Sequence, residues 1–193
     1  MLNLLGHLSG IATATRRLVD LVAGTQAAIC ETRKTLPGLR GLQKYAVHCG
    51  GGRLHRFGLF DAALFKDNHL ATMRSLGIDL EAACRAARAM GQIRFVEVEV
   101  DTLEQLDTVL SFAAGVVDII LLDNMPPEMM AEAVRRRDDQ RPTVELEASG
   151  GISEATIQAV AQSGVDRISV GALTHSVQNL SLIHISEPTR LSG

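Results

Sequence analysis

Short apolar or β-branched runs, each ending in a chemically assertive polar cluster, recur along this chain, and their spacing constrains the fold more than any other feature. Ala28-Ile29-Cys30 leads into Thr32-Arg33-Lys34-Thr35, Ala62-Ala63-Leu64-Phe65 into Lys66-Asp67-Asn68-His69, and Phe95-Val96-Glu97-Val98 into Glu99-Val100-Asp101. The apolar run 117–122 meets Asp123-Asn124, Val144-Glu145-Leu146-Glu147 meets Ala148-Ser149-Gly150-Gly151, and Arg167-Ile168-Ser169-Val170 meets Gly171-Ala172-Leu173-Thr174. Arg33, Lys66, Glu99, Asp123, Ser149 and Gly171 follow one another at intervals of 33, 33, 24, 26 and 22 residues. Each interval holds a strand, a crossover helix and two loops, which predicts parallel pairing rather than hairpins.

The connecting segments carry helix start and stop signals. Thr102 and Gln105 form a T-x-x-Q capping pattern; Leu103, Leu106, Val109, Leu110 and Ala113 mark one face, and Gly115 ends the run. Ser153 is the expected N-cap of a helix with Ile157, Val160 and Ala161 on its buried face and Gly164 at its stop. Pro126-Pro127 opens 128–137, acidic first and basic last. Segment 82–90 is Ala-rich and ends at Gly91, and 4–22 reads as helical with Gly6 and Gly10 as weak points. Such alternation means an α/β barrel or a doubly wound sheet. No G-x-G-x-x-G follows a strand, so a dinucleotide-binding unit has no support. A barrel gathers all six polar tips at one mouth, whereas an open sheet strings them along an edge. The expectation is therefore an open (β/α) barrel with about six parallel strands.

Composition narrows the function classes. The 193 residues are 46% hydrophobic and 21% charged, enough for one sizeable core, and no apolar stretch is long enough to span a membrane. The opening Met1-Leu2-Asn3-Leu4-Leu5 lacks the basic region of a signal peptide. Cys30, Cys49 and Cys84 are odd in number and far apart, which excludes a disulfide scaffold and a thiolate zinc site and suits a cytoplasmic protein. A net charge of −3 argues against nucleic-acid binding. The mean hides an asymmetry: 33–66 holds seven Lys/Arg and one acid, whereas 94–147 holds five Arg and thirteen acids.

Arg33, Lys34, His55, Arg56 and Lys66 therefore form a cationic set at the first two strand ends. Arg matches a carboxylate or phosphate with a planar fork and Lys adds a point charge. Each is worth roughly 4 kcal/mol against an anion at about 4 Å and an effective dielectric near 20, before desolvation. Several together imply a ligand with more than one negative charge; singly, each reads as a solvated basic side chain. Glu97 and Glu99 share one face of the third strand and Asp123 ends the fourth. Two carboxylates on adjacent strands can hold Mg²⁺ through water or stabilise a cationic transition state, or else pair with the neighbouring cations. Ser149-Gly150-Gly151 and the turn at Gly171 expose backbone N–H groups suited to phosphate. Cys49-Gly50-Gly51-Gly52 reads as a second anion nest or a flexible turn. His69 orients the lysine loop, His7, His48 and His175 read as structural, Asp118 and Glu145 as structural, and Arg135-Arg136-Arg137 as a solvated helix end.

Leu8-Ser9-Gly10-Ile11-Ala12-Thr13, Thr32-Arg33-Lys34-Thr35 with Pro37-Gly38-Leu39-Arg40, Lys44-Tyr45, Gly50-Gly51 with His55-Arg56, Lys66-Asp67-Asn68-His69, Val96-Glu97-Val98-Glu99, Leu121-Leu122-Asp123-Asn124, Glu147-Ala148-Ser149-Gly150-Gly151-Ile152 and Ser169-Val170-Gly171 occur in one ordered series. Over about 2–179 that series resembles nicotinate-nucleotide pyrophosphorylase (carboxylating), also called quinolinate phosphoribosyltransferase. The resemblance implies an enzyme that joins quinolinate to 5-phosphoribosyl-1-diphosphate with Mg²⁺, releasing diphosphate and CO₂ to give nicotinate mononucleotide. It implies an N-terminal α/β sandwich followed by an open α/β barrel, assembled as a homodimer or higher homo-oligomer. By the same resemblance Arg33, Lys34, Thr35, His55, Arg56 and Lys66 bind the quinolinate carboxylates and neighbouring phosphates. Glu99 and Asp123 face the ribosyl ring and its metal-bound diphosphate, so that Lys34, Lys66, Glu99 and Asp123 carry the catalysis. Ser149, Gly150, Gly151 and Gly171 hold the 5-phosphate.

The chain departs from that pattern at both ends. The sandwich and the Glu-Arg expected ahead of the first helix are absent before Met1, and the final barrel return after Asn179 is missing. Residues 1–179 thus read as a partial catalytic barrel, expected to be inactive or poorly folded alone, and 180–193 as a non-native tail resembling a translated sequencing adapter. Two alternatives stand beside this reading: a nicotinate phosphoribosyltransferase-like enzyme acting on the monocarboxylate, and an inactive barrel fragment that only associates with intact subunits. A phosphate-binding sugar isomerase leaves Arg33, Lys34 and Lys66 without a task.

Overall fold

The computed structural model describes residues 2–177. The six expected strands are present: β1 (Ala28–Cys30), β2 (Ala63–Phe65), β3 (Val96–Val100), β4 (Ile119–Asp123), β5 (Glu145–Ser149) and β6 (Arg167–Ser169). The helices between and around them are α1 (Leu2–Leu21), α2 (Arg40–Cys49), α3 (Asp67–Leu76), α4 (Leu80–Ala89), α5 (Leu103–Leu110), α6 (Pro127–Gln140), α7 (Ile157–Gln162) and α8 (Ala172–His175). All strand pairs are parallel, in the order β1-β6-β5-β4-β3-β2, so the first strand closes onto the last. β1 and β2 do not pair; across that seam Arg53 N–H donates to the Ile29 carbonyl at 2.7 Å. The sheet is an open α/β barrel.

Period-two alternation divides the two faces of this sheet. Val96, Val98, Val100, Ile120, Leu122, Leu146, Ala148 and Ile168 are buried in one aliphatic cluster with Leu106, Met130, Ile157 and other helical residues. The intervening Glu97, Glu99, Glu147, Arg167 and Ser169 are buried on the opposite face, inside the barrel. Five charged or polar side chains in a barrel interior demand partners, and they use one another.

Most helix signals hold, with local shifts. Thr102 Oγ1 accepts the Gln105 N–H, but Gln105 Oε1 accepts from Asp101 rather than from the cap residue, and α5 ends five residues before Gly115. Ser153 does not cap α7. It heads the preceding turn, where its carbonyl takes the N–H groups of Thr156 and Ile157, and the helix starts only after Thr156. α1 runs through Gly6 and Gly10, both buried. The long interval after β2 holds two helices, α3 and α4, divided by Gly77 at φ 66° and the Asp79 cap. Arg137 is not a solvated helix end: it is buried and bonds Asp166 at 2.6 Å and the Val144 carbonyl at 2.7 Å. Among the described residues no helix is long and apolar enough to cross a membrane.

The triple glycine has a packing task. A Cβ at Gly50 would lie 2.5 Å from the Ala12 carbonyl oxygen and 2.6 Å from Thr15 Cβ, so Gly50 is what lets the end of α2 touch α1. Neither Gly50 nor Gly52 lines the cavity described below, and the second anion nest is not formed there. Gly50→Ala is expected to destabilise the fold by roughly 1–3 kcal/mol. Urea unfolding measures this; an unchanged midpoint would mean the two helices part freely.

Candidate active site at the barrel mouth

The strand tips converge on one cavity of about 800 Å³. Arg33, Lys34, His55, Arg56 and Lys66 line it, as do Asp123, Ser149, Gly150, Gly151 and Gly171. Thr35 and Glu99 are not among the lining residues. Thr35 Oγ1 instead accepts from Arg40 Nε at 3.1 Å. Glu99 lies buried beneath Lys66, whose Nζ bonds its Oε2 at 2.5 Å. Register explains the pair, since Leu64 sits opposite Glu97 and Phe65 opposite Val98, which brings Lys66 alongside Glu99.

The cations are unequal. Arg33 Nε is buried and has no hydrogen-bond partner among the described residues. Arg56 is buried too, with one guanidinium arm donating to the Ala62 carbonyl at 3.2 Å. Burial and then the charge of Arg33 pull Arg56 below the usual guanidinium value, yet a guanidinium stays charged. Two like charges held together at a half-buried wall are a site prepared for an anion. Lys66 is set by local capping: it precedes α3, and its N–H donates to His69 Nδ1 at 3.1 Å, the orienting role expected of that histidine. Lys34 closes on the last loop. Its carbonyl accepts from Thr174 Oγ1 at 2.7 Å, and a Cβ on Gly171 would lie 3.4 Å from Lys34 Cδ and 3.3 Å from His175 Nε2.

On the other side, Asp123 is raised above the ordinary carboxylate value by burial and then by Glu99. Asn124 Nδ2 donates to Asp123 Oδ2 at 2.8 Å, and Asn124 itself adopts φ 53°. Its N–H reaches back to the Ser149 carbonyl at 2.9 Å. Gly150 has φ 93°, and a Cβ there would stand 2.1 Å from Asn124 Oδ1, so no other residue fits. Gly151 follows at φ 60° with open space around its Cα, leaving consecutive backbone N–H groups free of any side chain.

His55 departs most from the sequence expectation. Its Nε2 lies 3.1 Å from Glu97 Oε2 and 3.2 Å from Glu147 Oε1, and its Nδ1 accepts the Arg56 N–H at 2.7 Å. Both ring nitrogens are therefore engaged by protein. Arg167 Nε completes the cluster on Glu147 Oε2 at 2.6 Å. Beneath it, Glu31 accepts the His55 N–H and pairs with buried Lys44, which also donates to the His55 carbonyl. Asp118 and Glu145 are structural as read: Asp118 accepts the Val96 N–H and pairs Arg88, while Glu145 pairs Arg53 and Arg167.

Two sets of groups have metal-ligand chemistry. His55, Glu97 and Glu147 bring ligand atoms within 4.8 Å of one another, the spacing of a possible metal site. Coordination by Nε2 would shift the ring proton to Nδ1, where the Arg56 N–H already donates, so the hydrogen bonding favours a proton over an ion there. Glu99 and Asp123 offer hard carboxylate oxygens, and their mutual repulsion is what a hard divalent cation relieves.

Sequence reasoning missed Glu147, Asn124 and His175 as parts of this site. Glu147 could have been found, because period two places it on the face of Ser149; Asn124 and His175 depend on loop geometry.

Comparison with known proteins gives the same fold. The family profile described as Quinolinate phosphoribosyl transferase, C-terminal domain, matches residues 11–183. The chain is 55% identical over 182 residues to a nicotinate-nucleotide pyrophosphorylase [carboxylating] of Mycobacterium leprae, covering 94% of this chain and 62% of that protein. It is 47% identical to a probable enzyme of the same name from Bacillus subtilis, covering 94% of this chain and 60% of that one. The crystal structure of nicotinate-nucleotide pyrophosphorylase from Ehrlichia chaffeensis superposes with a TM-score of 0.80 at 40% identity, over 93% of this chain and 62% of that chain. The chain thus spans about six-tenths of the length of the relatives it matches. It belongs to the quinolinate phosphoribosyl transferase family, and its barrel is the family's C-terminal domain.

Proposed function

We propose that this barrel carries the substrate site of an enzyme that converts quinolinate and 5-phosphoribosyl-1-diphosphate to nicotinate mononucleotide, diphosphate and CO₂. The supporting observation is one cavity lined by Arg33, Lys34, Arg56 and Lys66 together with Asp123 and two glycine turns. Arg33 and Arg56 grip the two carboxylates of the pyridine acid, and the Gly150-Gly151 and Gly171 turns cradle the 5-phosphate. That grip sets the ring nitrogen in line with the sugar carbon that loses diphosphate, which lowers the entropic part of the barrier. As the C1–oxygen bond lengthens, positive charge grows on the ribose, and Asp123 with buried Glu99 stabilises it. Lys34 and Lys66 attend the leaving phosphates. After the N–C bond forms, the C2 carboxylate leaves as CO₂; the electron pair left on C2 is stabilised by the adjacent pyridinium and takes a proton. Glu99 and Asp123 are the residues that would hold Mg²⁺, which would supply charge neutralisation for the departing diphosphate.

The enzyme acts in the cytoplasm as a homodimer or higher homo-oligomer, with no nucleic-acid or membrane partner. The alternative substrate is nicotinate, with one carboxylate. Two adjacent guanidiniums favour the diacid. Calorimetric titration of both acids into the chain is expected to show quinolinate at least about tenfold tighter, a difference of about 1.4 kcal/mol. Equal affinities would sink the diacid assignment.

A further inference from the structure

Glu97 touches nothing in the cavity, yet it is fully buried on a central strand of the barrel, and neither carboxylate oxygen has a well-aligned hydrogen-bond partner among the described residues. A buried carboxylate in that condition is costly unless it serves a neighbour. Its neighbour is His55, in a stretch between α2 and β2 with no regular structure of its own. We propose that Glu97 is a positioning residue: with Glu147 it grips the Nε2 edge of His55 and thereby aims the next residue, Arg56, into the cavity. The role in ligand binding rests on reading that cavity as the pyridine-acid site.

Hydrogen placement carries the argument. Nδ1 accepts the Arg56 N–H at 2.7 Å, so it bears no proton, and the single ring proton must sit on Nε2. There it lies between Glu97 Oε2 at 3.1 Å and Glu147 Oε1 at 3.2 Å, close to both and collinear with neither. The ring is fixed on its other sides as well. Phe95 stands edge-on with centroids 5.5 Å apart, while Glu31 and Lys44 hold the His55 N–H and carbonyl. A ring gripped in this way offers no nitrogen to a ligand. It transmits its position instead, because the Arg56 N–H that meets Nδ1 belongs to the residue whose guanidinium faces the cavity.

The charges are consistent with this arrangement. Facing the cluster are Glu147 and Glu145 on β5, Arg167 on β6, Cys30 on β1, Glu31 just after it, Lys44 on α2, and Arg33 and Arg56 at the wall. Burial opposes a charged imidazole, whereas Glu147 and Glu97 favour one. A second ring proton on Nδ1 would face the Arg56 N–H, donor against donor.

NMR of the chain with isotope-labelled histidine separates the two tautomers from the imidazolium. His55 is expected to show the Nε2–H form with a bare Nδ1 between about pH 6 and pH 8. Glu97→Leu is expected to let the ring titrate or exchange tautomers and to weaken quinolinate by at least about tenfold. Glu97→Gln, which keeps a neutral polar head at the same place, is expected to retain the tautomer and recover most of that affinity. An imidazolium in the parent at neutral pH would overturn the proposal, as would a folded Leu variant with unchanged tautomer and affinity. If circular dichroism shows the Leu variant unfolded, the Gln variant decides: retention of the Nε2–H form supports the clamp and its loss removes it. A parent chain with the expected tautomer and no quinolinate binding would retire the ligand assignment while the grip on His55 stood.

Discussion

Arg33→Met is expected to weaken quinolinate binding by about 10- to 150-fold, the loss of a charge-assisted bond worth roughly 1.5–3 kcal/mol. The buried Arg33 Nε has no partner among the described residues, and the neighbouring charge of Arg56 is repulsive, so nothing in the protein already uses this donor. Met keeps the length and the apolar stem while removing the fork. Folded stability should stay the same or rise slightly, because a like-charge contact is relieved. Calorimetry and urea unfolding on one preparation check both statements. An affinity within about twofold of the parent would show that Arg33 does not meet the ligand.

Arg167→Met is expected to cost roughly 3–5 kcal/mol of folding stability, a large share of the roughly 5–15 kcal/mol typical of a domain. Arg167 is buried, bonds Glu147 at 2.6 Å and Glu145 at 3.3 Å, and stacks its guanidinium 5.8 Å from the Phe95 ring centre. Without it Glu147 stays buried beside Glu97 with no guanidinium to balance it. The pH dependence has a definite sign. Glu97 already has a raised folded value, so its ionisation is a penalty that grows as pH rises above the unfolded carboxylate range. Once Arg167 is gone, Glu147 loses one of the charges that lower it and joins that penalty. The deficit should therefore shrink as pH falls towards about 5 and widen above it. A deficit that does not change between acid and neutral pH would mean that packing, not charge, is what Arg167 supplies.

Much of this architecture was legible because it follows from two short periods. Alternation along β3, β5 and β6 separates the aliphatic face from the charged one, and the recurrence of polar tips after each run gives six parallel strands with their ends together. Arg33, Lys66, Asp123 and the Gly150-Gly151 turn lie at strand tips on the cavity, whereas Arg56 reaches it from the segment ahead of β2. The uncertain parts depended on what no local pattern states. His55 is committed to Glu97 and Glu147, which are 50 residues apart in the chain and meet only because the sheet curls. Ser153 has the residue type of an N-cap, but its pairing with Thr156 satisfies the turn first and delays the helix. Arg137 follows two exposed-type arginines, and only the position of Asp166 across the helix layer buries it.

The missing ladder between β1 and β2 has a mechanical consequence. Arg33 follows the strand on one side of that gap and Lys66 the strand on the other, and their hydrogen-bonded connection runs the long way round through four intervening strands. A change in the girth of the mouth can therefore be taken up at that gap without shearing any of the five paired edges. The barrel behaves as a split collar, stiff along its circumference and compliant at one point, with its two outermost positive tips on opposite lips.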